Sequence, residues 1–393
     1  MVLLSAEYPP FVYGGVGTFV KNLAIGLRRE GVRVTVISGC PVPSHVRHVE
    51  ISEEKDLEID VIRFPYFDIH PKNAIFQLRN LKKISETVKA INPDLVHGQG
   101  LSTFPASIRL KNLAPLIVTF HASPKADKAI GIYSLLRGGS FSDFSTYVLG
   151  YPASSLICRN ELRDSKMAVA VSRSLMSELL EEMGETNRGK MCEIHNGIDI
   201  ETLDRGYKNV EYDVEETNDT ILFAGRLVWG KGALNLIKIA YLLQKEELDL
   251  KLIVHGDGPH FKTLERKVHE FGLTNVELKG FASGAQFMRS MRRSKFVIIP
   301  SYHEACPMIL LESMCLGRIP VMFNLPFSME FTENGKYGII AKDMRDMVEQ
   351  LRIAHMKCDL TSYGDRVKDF ARRKYNIRNM SLRYVHLYNS IRD

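Results

Sequence analysis

At 393 residues, the chain is long enough for two domains. With 45% apolar and 25% charged residues and no low-complexity tract, it reads as globular, not disordered. The formal charge of +6 divides evenly, +3 over residues 1–198 and +3 over the remainder, which excludes a dedicated basic nucleic-acid domain.

The six cysteines, at 40, 158, 192, 306, 315 and 358, contain no C-x-x-C pair. A zinc ribbon or thioredoxin-type site is therefore not expected, and free thiols in a reducing compartment are. Nothing near Met1 reads as a signal peptide, and no run approaches the roughly 18 apolar residues of a membrane span. The expectation is a cytoplasmic protein, with at most a loose peripheral contact with membrane.

In chain order, Val2-Leu3-Leu4 reads as a strand. Gly15 to Glu30 reads as a helix, with Phe19, Leu23 and Leu27 at four-residue spacing and Gly31 closing it. Val32 to Ile37 is a second strand. A helix over 73–91 ends at Asn92-Pro93. Strands follow at Leu95–His97, Leu116–Phe120 and Ala168–Val171, then a helix up to Met183. Residues 123–160, rich in Ser, Gly and aromatics, read as an irregular excursion lining a cleft or meeting an acceptor. The rhythm repeats with strands at 221–224, 252–254, 276–278, 296–299 and 319–323. Helices near 232–244, 261–271 and 284–293 lie between them.

Strands alternating with helices imply parallel sheets covered on both faces. The fold class is α/β, with two Rossmann-like doubly wound domains facing across a cleft. The first covers 1–198 and the second 199–377. The joint lies near Asn196-Gly197-Ile198-Asp199, and a polar stretch from Asp204 to Thr220 follows it. The amphipathic segment 378–393 is expected to pack back on the first domain.

Several motifs sit where chemistry is done. Gly14-Gly15-Val16-Gly17 follows the first strand and opens a helix, whose start suits phosphate. Val20 stands where the dinucleotide pattern needs its third glycine, which argues against an NAD enzyme. Alone, the run is equally a tight turn without a ligand.

Gly225 to Gly232 has P-loop spacing, but Gly232 replaces the magnesium-binding hydroxyl. What remains is Arg226 and Lys231, two cations able to grip one diphosphate or simply to face water. Glu304 and Glu312 flank a short apolar run. Pro307 suits the first turn of a helix and Gly317 its end. The free amides of such a helix start, with the two carboxylates, suit phosphate and sugar hydroxyls. His121 ends an apolar strand, where open α/β sheets place ligands. His255 and His260 bracket Gly-Asp-Gly-Pro and are weak as metal ligands. Lys72, Arg79, Lys82, Lys83 and Lys89 lie on one predicted helix, a wet face or a lipid-facing one.

Together these motifs resemble the retaining glycosyltransferases of family four, with the GT-B fold. The likeness runs from Pro9-Pro10 and Gly14–Gly17 through Pro93–His97, Val171–Ser174 and Asn196–Asp199. It continues in Gly225-Arg226-Leu227 with Lys231-Gly232, in Gly256–Pro259, and in Pro300–Glu304 running to Glu312. The resemblance implies that Arg226 and Lys231 hold the donor diphosphate and that Glu312 holds the ribose. Glu304 would sit by the transferred sugar. Backbone groups of Cys306, Pro307, Met308 and Ile309 would contact phosphate and sugar, His121 would lie near the reacting sugar, and Gly15 near phosphates or acceptor.

The resemblance further implies a nucleotide-diphosphate sugar as donor substrate, a UDP-sugar ahead of GDP-mannose, with no cofactor and no metal at the diphosphate. The acceptor would be a glycan or a lipid-linked molecule; nucleic acid is not a partner. Three departures stand out: Ala305-Cys306-Pro307 in place of glycine, a bulky apolar residue and glycine; Leu325-Pro326-Phe327 in place of glycines; and the absence of a second histidine from Pro93-Asp94-Leu95-Val96-His97-Gly98-Gln99. A nucleotide-sugar epimerase and a non-catalytic nucleotide-sugar-binding regulator are the competing readings on the same scaffold.

Overall fold

The computed structural model describes residues 1–43, 52–56, 59–68, 72–136, 144–210 and 219–391. The chain forms two compact units. One comprises Met1–Asp127, Leu149–Gly197 and Ile377–Asp393; the other comprises Lys128–Val148 and Ile198–Asn376.

The first unit is built on an eight-stranded sheet in the order β3-β4-β2-β1-β5-β6-β7-β8. Its strands are β1 (Val2–Leu4), β2 (Thr35–Val42), β3 (Ser52–Asp56), β4 (Ile59–Phe67), β5 (Val96–Gln99), β6 (Leu116–Phe120), β7 (Met167–Ala170) and β8 (Met191–Glu193). The central strands β1 and β5 are short and buried along their whole length, as expected where helices cover both faces of a sheet.

The helix Gly15–Arg29 buries Phe19, Val20, Leu23 and Leu27. It ends where Gly31, at φ 83°, turns the chain away; the Val32 amide closes back on the Leu27 carbonyl at 3.0 Å. The last helix, Ile377–Ser390, adds Met380, Tyr384, Leu387 and Tyr388 to the same core. Gly26 lets it approach, since a Cβ there would lie 2.9 Å from Ser381 Cβ.

The second unit carries a six-stranded, wholly parallel sheet in the order β11-β10-β9-β12-β13-β14. Its strands are β9 (Thr220–Ala224), β10 (Lys251–His255), β11 (Val276–Gly280), β12 (Phe296–Ile299), β13 (Ile319–Phe323) and β14 (Ile339–Ala341). Ile221, Phe223, Leu236, Leu252, Phe296, Val321 and Leu351 form its core. In each sheet the strand order reverses once, between β1 and β5 and between β9 and β12. Open α/β sheets bind ligands at the carboxyl ends of strands beside such a reversal.

Three expectations need correction, and a fourth region lies partly outside the described residues. The first sheet is mixed, because β3 runs antiparallel to β4 at its edge. Its second strand begins at Thr35, not Val32, since the residues after Gly31 are used to leave the helix. The 123–160 segment holds helices at Pro124–Leu136 and Tyr151–Asp164, while its residues 137–143 lie outside the described residues. Of the polar stretch 204–220, residues up to Lys208 belong to the helix Ile200–Lys208, and 211–218 lie outside the described residues.

Candidate active site

At the switch point of the second unit, the loop after β9 meets the loop after β12. Lys231 Nζ lies 2.6 Å from both carboxylate oxygens of Glu304. Ser301, itself buried, donates its hydroxyl to Glu304 Oε1 at 2.8 Å. Glu304's side chain is 8% exposed against 31% for Lys231, so the cation is the reachable partner.

The two loops are clamped together. The Tyr302 amide donates to the Gly230 carbonyl at 3.0 Å. The Tyr302 ring stacks on Trp229 with centroids 4.2 Å apart. Its hydroxyl donates to Asn235 Oδ1 at 2.9 Å, and Asn235 Nδ2 donates to the Pro300 carbonyl at 3.2 Å. Gly232, at φ 70°, completes the joint: a Cβ there would lie 1.9 Å from the Pro300 oxygen. A P-loop hydroxyl cannot be placed at that position.

Arg226 lies five residues before Lys231 in the same loop. It is exposed and makes no ion pair among the described residues. Its loop is held from beneath by the Gly-Asp-Gly-Pro turn. The Gly225 amide donates to the His255 carbonyl at 3.0 Å and the Leu227 amide to the Asp257 carbonyl at 2.8 Å. The turn is therefore a backbone support. His255 is spent on packing, with Nε2 2.7 Å from Ser290 Oγ, and burial lowers its pKa. Among the described residues, no group of three or more His, Cys, Asp or Glu side chains is placed to hold a metal.

Pro307 is the N-cap of the helix Met308–Cys315, one position earlier than its sequence suggests, with φ −69° and ψ 122°. The helix has no side-chain cap and no acid in its first turn, so its partial positive charge is not offset from within. Cys306 and Met308 are buried, and Ile309 is half-buried. Gly317 ends the helix at φ 74°. Glu312 sits on this helix, partly exposed, with no hydrogen-bond partner for its carboxylate among the described residues. Desolvation by the dense surroundings of its carboxyl pushes its pKa up to about 7.

At the switch point of the first unit, Gly14 caps the helix that Gly15 opens, and that helix also lacks an acid in its first turn. Glu7 fixes the approach: its Oε2 accepts from the amides of Tyr13 at 2.9 Å and Gly14 at 3.1 Å. His121, just past β6, is half-buried with Phe19 edge-on at 4.8 Å. Its Nε2 lies 2.8 Å from Gln99 Oε1. Burial holds its pKa down to about 3, so the imidazole is neutral.

Nearby, Glu161 is fully buried and accepts from the amides of Leu101, Thr103 and Phe104 at 3.1, 3.3 and 3.0 Å, shaping the loop after β5. Burial raises its pKa to about 7, against the opposing pull of those amides.

The structure thus groups Lys231, Glu304 and the 306–309 helix start in one unit, with Glu312 and Arg226 near them in the chain. It places Gly15 and His121 at the switch point of the other. The basic helix, Lys72–Ile91, is less free for lipid than its sequence suggests: Lys72 is paired with Asp68 at 2.6 Å and lies over the Tyr13 ring, and Arg79 packs on Phe67. No helix among the described residues is long and apolar enough to cross a membrane.

Ser301, Trp229, Asn235, Glu7 and Glu161 were not legible as site residues; Trp229, Asn235 and Glu161 act through partners remote in sequence, and Glu7 through amides six and seven residues on. Only Ser301, three residues before Glu304, carried a local signal.

Two Rossmann-like units built on mainly parallel-stranded sheets are the architecture of the GT-B glycosyltransferases. The chain belongs to them: the profile "Glycosyltransferase Family 4" matches residues 13–202 and "Glycosyl transferases group 1" matches residues 207–355. A relative, an uncharacterised glycosyltransferase of Methanocaldococcus jannaschii, is 26% identical over 86% of this chain and 84% of its own length.

Among solved structures, sucrose-phosphate synthase of Thermosynechococcus elongatus is similar with a TM-score of 0.77 at 16% identity, covering 99% of this chain and 98% of its own. Anabaena HepE, solved with UDP and glucose, is similar with a TM-score of 0.72 at 17% identity, covering 99% of both chains. At those identities the structural likeness concerns the fold.

Proposed function

We propose that this glycosyltransferase takes its sugar from a nucleotide-diphosphate donor, retains the anomeric configuration, and delivers the sugar to a hydroxyl of a glycan or lipid-linked acceptor in the cytoplasm. The observation that carries the reading is the Lys231–Glu304–Ser301 cluster at a switch point, with exposed Arg226 in the same loop and an uncapped helix start beside it. The six cysteines are free, in keeping with a reducing compartment.

When the donor's glycosidic bond breaks, negative charge grows on the leaving diphosphate and the sugar becomes oxocarbenium-like. Arg226, Lys231 and the amides at the helix start stabilise the first, in the order of cations then dipoles. Pro307 contributes only its carbonyl. These charges replace the work of a metal at the diphosphate. Glu304 meets hydroxyls of the transferred sugar, and Glu312 meets those of the ribose.

Glu304, the carboxylate proposed beside the sugar, is held by Lys231 and Ser301, which makes it a poor nucleophile. The acceptor hydroxyl therefore attacks on the face the diphosphate leaves: the bond from the anomeric carbon to acceptor oxygen forms as that to phosphate oxygen breaks. The leaving phosphate oxygen takes the hydroxyl proton. A UDP-sugar is the first candidate and GDP-mannose the second; the UDP and glucose bound to HepE support that order.

A thermal-shift screen of nucleotide sugars tests the donor. Ligand at about 100 times its Kd raises stability by about 2.7 kcal/mol. NMR of the product's anomeric signal tests retention. Absence of stabilisation by every nucleotide sugar removes the donor assignment, and an inverted product removes the retaining mechanism.

A further inference from the structure

We propose that Gln99 is a positioning residue that fixes the Nε2–H tautomer of His121, so that the imidazole presents its Nδ1 lone pair to a hydroxyl of the reacting sugar. The proposal rests on the reading of His121 as a group facing that sugar.

Gln99 ends β5 and His121 follows β6, and the two strands are paired with Gln99 opposite Thr119. Both residues therefore stand at the carboxyl end of the sheet, beside its switch point. Gln99 is fully buried, and its Oε1 lies 2.8 Å from His121 Nε2. A carbonyl oxygen only accepts, so His121 Nε2 carries the hydrogen. Burial keeps the imidazole neutral, which leaves Nδ1 as an acceptor. The Phe19 ring, edge-on at an interplanar angle of 68°, limits rotation of the imidazole.

A contrast with His97 sharpens the assignment. His97 sits two residues before Gln99 and is fully buried, and both of its nitrogens are taken, by Tyr388 and by Thr119, each at 2.7 Å. His97 is closed on both sides. His121 has one nitrogen committed, none of the described residues meets the other, and the residue is half-buried.

The remaining observation is Gln99 Nε2, which is buried with no partner among the described residues. An unmet amide donor is a cost to folding that an apolar residue would avoid. The amide is explained if its oxygen is needed at His121.

The test uses the full chain labelled with 15N-histidine. The His121 signals are assigned by their loss in His121→Ala, and tautomers are read from side-chain 15N shifts. In the unaltered chain, His121 is expected as the Nε2–H form from pH 5 to 8. Gln99→Leu should give mixed tautomers and lower kcat about tenfold, the scale of one hydrogen bond at the transition state, with the donor KM little changed.

Gln99→Glu keeps an acceptor but adds a negative charge. It should bring the His121 titration up into the measured range and give the pH–kcat profile a new acid limb, because the imidazolium has no lone pair. An Nδ1–H tautomer in the unaltered chain overturns the proposal. So does a Gln99→Leu protein with unchanged tautomer and kcat, or a Gln99→Glu protein whose pH profile does not move. Full transfer by His121→Ala would instead remove the role of His121 itself, while the 15N spectra still decide what Gln99 does to the ring.

Discussion

The two units treat charge in opposite ways. The second unit collects it: Lys231 and Glu304 are paired over 2.6 Å, and Arg226 stands exposed in the same loop. Around His121 the first unit presents neutral rings instead: His121 and His97 are held neutral by burial, each with a pKa near 3, among Phe19, Tyr384 and Tyr388, and its partly buried ion pair Lys111–Asp164 belongs to other elements. The donor proposed above is asymmetric in the same sense. Its diphosphate needs fixed cations, whereas hydroxyls on a sugar need neutral donors and acceptors held in place. Substitutions that remove charge should therefore be costly to activity in the second unit, and those that remove hydrogen-bond geometry should be costly in the first.

The largest effect is expected at the cations. Lys231→Ala or Arg226→Ala should lower kcat/KM about 100-fold or more, the scale for a preorganised charge contact. The two variants should differ in stability. Lys231→Ala leaves Glu304 8% exposed without its cation and should also lower Tm, whereas Arg226→Ala should not. Near-normal turnover by both would remove the diphosphate assignment and, with it, the contrast between the units.

Glu312→Gln comes next. Its folded-state pKa is raised to about 7, above its ordinary 4.5. An acid raised on folding contributes stability in full below the unfolded value and loses it as pH rises toward 7. The variant should therefore match the parent in Tm near pH 4.5 and exceed it at pH 8, while its donor affinity falls about tenfold. A Tm that falls at pH 8 would mark Glu312 as structural.

The third test is in the first unit. Tyr388→Phe deletes the hydroxyl that meets His97 Nδ1 at 2.7 Å in a fully buried site. A stability loss of about 1–3 kcal/mol is expected, with donor binding unaffected.

These tests also show where the sequence was readable. Most strands of the two sheets stand out because buried parallel strands are continuous apolar runs, as in Ile221–Ala224 and Phe296–Ile299, whereas β4, β8 and β14 are not picked out in the sequence. Glycines that stop helices, Gly31 and Gly317, are readable because the conformation they supply is local. The charged β3, Ser-Glu-Glu-Lys-Asp, has no apolar alternation and lies at the sheet edge, so nothing in its pattern marks a strand.

The helices at Pro124–Leu136 and Tyr151–Asp164 leave Ile132, Tyr133, Leu136 and Leu156 exposed, which blurs the helical period. In the site, Glu304 and Lys231 were readable as residues but not as a pair. Gly232 reads as a defective P-loop until the Pro300 carbonyl is seen against it. The Pro93–Gln99 segment reads only as lacking a second histidine until the Gln99 oxygen is found at His121.

The smallest expected effect is a control on the charged pairs themselves. Arg188 and Glu185 also form a close ion pair, at 2.9 Å, but their side chains are 62% and 67% exposed. Water already solvates both groups, so the Coulombic gain is slight and is offset by the entropy of ordering two long side chains. Arg188→Ala should change stability by no more than about 0.5 kcal/mol and leave transfer activity intact. Lys231 and Glu304 are no more than 0.3 Å closer, so distance does not separate the two pairs. Burial of the carboxylate does. If Arg188→Ala proved as harmful as Lys231→Ala, burial would not be the property that sets the second unit's pair apart as the proposed binding element.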